Sequence, residues 1–104
     1  MHMAHRFPSI EVEEKVPLTF RFGAELADQG ATLASISSVA VAVRNGVADA
    51  TPSSLVTASN ISGTNVVVAA DGRTPGADFE LRVTCATSNP YLVLTRVGYV
   101  SVNG

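Results

Sequence analysis

Strict two-residue alternation is the feature that most limits what this chain can fold into. Across residues 78–86, Phe79, Leu81, Val83 and Cys85 fall on one face, with Asp78, Glu80, Arg82 and Thr84 on the other. A strand sends successive side chains to opposite faces, so this run reads as a strand with one dry face. A helix would scatter the same residues around its surface. The period recurs in residues 15–22, where Val16, Leu18, Phe20 and Phe22 oppose Lys15, Pro17, Thr19 and Arg21. It recurs again in residues 36–44 and 64–70, and residues 55–62 hold one or two shorter strands. Pro17 cannot donate a ladder hydrogen bond, which predicts an edge position for its strand. The last strand, residues 91–102, carries Leu92 and Leu94 on one face and Tyr91, Val93, Val97 and Tyr99 on the other, and Gly98 predicts a bulge in it. A single helical turn is expected at residues 24–27.

The composition agrees with this reading. Val, Ile and Thr supply 27 of the 104 residues, and branched Cβ atoms suit a pleated strand better than a helix. Asn45-Gly46, Asp71-Gly72 and Ser88-Asn89-Pro90 punctuate the runs as turns. Six or seven short strands at roughly ten-residue spacing predict an all-β chain, an antiparallel β-sandwich of immunoglobulin-like outline. With no Trp and one cysteine, it lacks the core Trp and disulfide of true immunoglobulin domains. Residues 15–104 form this domain. Residues 1–14 are polar, hold both His residues and three acidic residues, and read as an extended N-terminal arm long enough to reach a neighbour.

The residues argue against chemistry. Cys85 alternates onto the apolar face, so it reads as a buried small hydrophobe rather than a thiolate. His2 and His5 lie in the arm, where nothing holds a general base against a partner. Glu11, Glu13 and Glu14 do not share a strand face, and Asp71 with Asp78 does not make a calcium loop. No catalytic, cofactor or metal site is therefore expected. A net charge of −2 gives no electrostatic footprint for nucleic acid. No apolar run approaches the length of a membrane span. One feature favours a partner: the last strand is apolar on both faces, and a single sandwich covers only one. Either the arm or another subunit is expected over the outer face.

Three stretches carry a resemblance. Ala4-His5-Arg6-Phe7-Pro8-Ser9 followed by Val16-Pro17-Leu18-Thr19-Phe20 resembles the opening of small proteins from tailed-phage morphogenesis modules. Asp49-Ala50-Thr51-Pro52-Ser53-Ser54-Leu55 and the strand–turn–strand of residues 79–100 are similar to the same group. Where the family has a Ser-Asp-Gly turn, this chain has Ser88-Asn89-Pro90. The resemblance implies an immunoglobulin-like virion component, of the fibre-tail adaptor or head-tail connector type, assembled in the bacterial host cytoplasm. It implies a non-enzymatic adaptor linking portal or tail to fibres or spikes as a ring of identical subunits. Capsid decoration is the alternative, and a carbohydrate-binding module a more distant one. Arg6, Phe7, Pro8 and Ile10 in the arm, with Tyr91, Val93, Val97 and Tyr99 on the last strand, are the expected protein-interface residues.

Overall fold

The computed structural model describes residues 5–103. The chain begins with two short strands, β1 (His5–Arg6) and β2 (Ile10–Glu11), and continues into β3 (Lys15–Arg21). A seven-residue helix, α1 (Gly23–Gln29), leads to β4 (Leu33–Gly46). A 3-10 turn at Pro52–Leu55 precedes β5 (Val56–Ser62), β6 (Asn65–Asp71), β7 (Ala77–Thr87) and β8 (Val93–Asn103). The fold is all-β, in two sheets. The larger runs β1-β8-β7-β4, with β2 also on β8, and the smaller runs β3-β6-β5.

The inner faces are those the alternation marks. Leu18, Phe20, Val66, Val68 and Ala70 from the small sheet meet Phe79, Leu81, Val83, Cys85, Val100 and Val102 from the large one, all buried. Phe22 and Leu26 close the α1 end of this core, both at most 1% exposed. Gly30, at φ 61°, ends α1 by donating its N–H to Ala27. As its proline predicts, β3 lies at an edge and pairs only with β6.

The arm differs from the sequence expectation. Residues 5–14 lie against the domain, and residues 1–4, including His2, fall outside the described residues. β1 and β2 both run parallel to β8, pairing His5 with Gly98 and Ile10 with Val102. The large sheet is therefore mixed rather than purely antiparallel. Phe7 and Ile10 are 7% and 3% exposed, inside the core. Two glycines admit this segment. A Cβ on Gly98 would lie 2.5 Å from Phe7 and 2.9 Å from Phe20, and one on Gly72 would lie 2.1 Å from the Glu11 carbonyl oxygen. Gly98 consequently marks no bulge; β7 and β8 pair without a register shift, and the space of the missing side chain holds two aromatic rings.

Asn45-Gly46 also departs from expectation. Both residues extend β4, paired with Asp78 and Ala77 beyond a register shift at Val43/Asn45. No sequential strand lies beside β4 to make a hairpin. Instead Gly46, at φ 78°, turns the chain so that Val47 donates to the Gly76 carbonyl at 3.1 Å.

Candidate functional site

The expected interface residues separate into three environments. The first is the outer face of the large sheet, around Tyr99. Register places Tyr99 beside Arg6 of β1 and opposite Glu80 of β7. The Arg44 guanidinium stacks over its ring at 4.1 Å and that of Arg6 at 5.5 Å. Both arginines converge on Asp78. Arg6 donates to both carboxylate oxygens, at 2.8 and 3.3 Å, and Arg44 Nη1 donates to Oδ2 at 3.1 Å. The Ser101 hydroxyl donates to Oδ1 at 2.9 Å. The Arg6 hydrogen bonds, assisted by Ser101 and Arg44, hold the Asp78 carboxyl below its ordinary pKa against the opposing effect of burial. The same carboxylate raises the pKa of Arg6. Arg6 Nη1 also donates to the Ser101 hydroxyl at 3.1 Å, so β1, β4 and β8 are all tied to one carboxylate on β7. The arrangement therefore clamps the arm to the sheet.

The second environment is a cleft of about 490 Å³ between β1, β3 and β8, lined by His5, Phe7, Thr19, Phe20, Arg21, Arg96 and Val97. That volume falls within the range of small-molecule pockets. Its floor is aromatic, with the Phe7 and Phe20 rings edge-on at 5.2 Å and His5 edge-on to Phe7 at 4.6 Å. Arg96 points to the inner side of β8, an unusual direction for a charge. It donates to the Arg21 carbonyl at 3.0 Å and to the Glu25 carboxylate, and lies 4.9 Å from the Phe22 ring centroid. His5 and Thr19 line the cleft together with Arg96, which ties it to Glu25 of α1.

The third is the end of the β7–β8 hairpin. Thr87 and Asn89 order this turn, with the Thr87 hydroxyl donating to the Leu92 carbonyl at 2.8 Å and the Tyr91 N–H donating to Asn89 Oδ1 at 2.9 Å. The turn presents Tyr91 and Val93 to solvent, 96% and 59% exposed.

Thus Phe7 and Ile10, expected at an interface, lie in the core of the single chain, because parallel pairing on β8 turns their apolar side chains inward. Arg6 and Pro8 are exposed, Tyr99 is half-buried between two guanidiniums, and Val97 is half-buried at the cleft. Tyr91 and Val93 remain fully available. The Asp78 and Arg96 networks were not visible in the sequence, because Arg6 and Asp78 stand 72 positions apart and Arg96 and Glu25 stand 71 apart. A further network escaped for the same reason. Asp49, its carboxylate 3% exposed, accepts from Arg73 and Thr74 and joins the segments before β5 and after β6. Its pKa is lowered, first by the Thr51 backbone N–H. Among the described residues no three His, Cys, Asp or Glu side chains gather into a metal site, and no helix is long and apolar enough to cross a membrane. Comparison with family models, curated proteins and solved structures finds no match to the chain.

Proposed function

We propose that this protein is a non-enzymatic structural component that works by assembling with copies of itself and with other proteins. The observation that carries this reading is the ordered presentation of Tyr91 and Val93 at one end of the sandwich, apolar and exposed on a hydrogen-bonded turn. Large apolar side chains held out rigidly cost little entropy to dock, and tyrosine is enriched where proteins meet. The clamp on Asp78 and the packing of the arm support the same reading by giving this surface a rigid base.

The resemblance in the sequence supplies the setting: an immunoglobulin-like adaptor of a tailed-phage virion, joining portal or tail to fibres or spikes. Native mass spectrometry of the full chain, alone and with portal and tail proteins, tests it. A closed ring, or a defined complex that Tyr91→Ala with Val93→Ser weakens at least tenfold, supports the adaptor. A chain that binds neither protein but decorates intact capsids replaces the adaptor with a decoration protein. Tyr91 is also a single exposed ring of the kind sugars stack on. Monomeric glycan binding lost in Tyr91→Ala would replace assembly with carbohydrate recognition.

A further inference from the structure

Among the described residues the large sheet ends at β4, whose outer side pairs with no strand. An open edge is a template for another chain, and proteins defend such edges with lysine, proline or bulges. Of the two edges of the small sheet, β3 carries Lys15, Pro17 and Arg21, while β5 carries no charge over its length and is distinguished from β4 by having no self-complementary run. The outer edge of β8 is occupied in part by β1 and β2. β4 carries three register shifts and one charge, Arg44 near its end, but from Leu33 to Val43 it contains no ionisable residue and no proline. The turn Pro52–Leu55 packs beside it without hydrogen-bonding its backbone. Register shifts at Ile36/Ser38 and Val43/Asn45 bracket one regular stretch, Ser38 to Val43.

Within that stretch the sequence Val39-Ala40-Val41-Ala42-Val43 reads the same in both directions. Antiparallel partners that stand opposite each other share a sheet face, so a two-fold axis through Val41 sets Val39 against Val43 and Ala40 against Ala42 of the second copy. Every valine then meets a valine and every alanine an alanine. A shift of the axis to Ala40 would place Val43 opposite Ser37. The valines are only half-buried although they face inward, and the two alanines are exposed, so both faces of the edge have surface left to cover.

We infer that β4 is a homotypic docking edge: two copies pair antiparallel about Val41 and continue the large sheets into one. The occupant is a second copy of this chain because the segment is its own complement, in side chains as in backbone. The inference rests on the self-assembly part of the proposed function and not on its virion setting.

Analytical ultracentrifugation of the full chain over micromolar to millimolar concentration tests it. The expected result is reversible conversion from the 10.8 kDa chain to a species of twice that mass. The double variant Ala40→Lys/Ala42→Lys sets like charges directly opposite and should weaken the dimer at least tenfold. The variant Ala40→Glu/Ala42→Glu should do the same alone, and mixing the two should restore a heterodimer. That rescue separates loss of pairing from loss of folding. A chain that stays monomeric throughout overturns the inference, as does a wild-type dimer that both charged variants form undiminished. If a monomeric chain still joins portal or tail proteins, only the edge pairing has failed and the adaptor reading stands.

Discussion

Replacing Phe7 with Ala distinguishes an arm that belongs to the core from one that reaches for neighbours. The ring is 7% exposed, sits edge-on to Phe20 at 5.2 Å, and fills the space over Gly98 where a Cβ would stand. Removing a phenyl ring from such a site loses its transfer free energy and leaves a cavity, about 3–5 kcal/mol together. A domain of this size loses about 4–8 °C in Tm per kcal/mol, so even the lower figure lowers Tm by about 12 °C. The assay is thermal and urea denaturation followed by circular dichroism at one fixed protein concentration, since self-association would itself raise Tm. Pro8→Ala is the control, exposed and two residues from Ile10 in the same segment, with an expected change within about 0.5 kcal/mol. A Phe7→Ala chain melting within about 3 °C of the parent, with assembly alone impaired, would refute the reasoning. It would return Phe7 to the interface role the sequence suggests.

Gly98→Ala and Gly72→Ala test the same docking from the other side. Each places a methyl within 2.5 Å of arm atoms, so each should cost on the order of 1–3 kcal/mol in urea denaturation, and Gly72→Ala more because it meets backbone. The Asp78 network makes stability depend on acid. Because its folded pKa lies below the ordinary 3.8, its contribution is present above that value and is lost as pH falls through the lowered folded value. Asp78→Asn should therefore flatten the acid side of the urea-midpoint profile, and an unchanged profile would show that the clamp is not held in solution. Burial raises the pKa of the Cys85 thiol, and its side chain is inaccessible. A thiol reagent at pH 8 should label it in urea but only at the unfolding rate in buffer; rapid native labelling would refute its core position.

How far the sequence can be read follows from the range of each interaction. Alternation in residues 78–86 placed Phe79, Leu81, Val83 and Cys85 inside because strand geometry is local, and Pro17 marked an edge because a missing donor is local too. The arm misled because its polar average concealed two inward positions, Phe7 and Ile10, whose partners lie on β8 some ninety residues away. Gly98 showed that something close lay near the last strand without showing what; a bulge and an approaching ring leave the same glycine. Of the candidate site, Tyr91 and Val93 were legible as apolar residues on the uncovered side of a strand. The clamp on Asp78 and the Arg96–Glu25 pair were not.

By itself the sequence determined the all-β class, the faces of the alternating strands and the part of the core those strands supply, since these depend on what each residue and its near neighbours prefer. Tertiary structure decided the rest. It chose which strands stand side by side, set the arm parallel on β8, directed three polar groups at Asp78 and left β4 open at an edge. Those outcomes depend on contacts between residues far apart in the chain. Their free energy exists only after the two sheets have closed on each other, and no local pattern carries it.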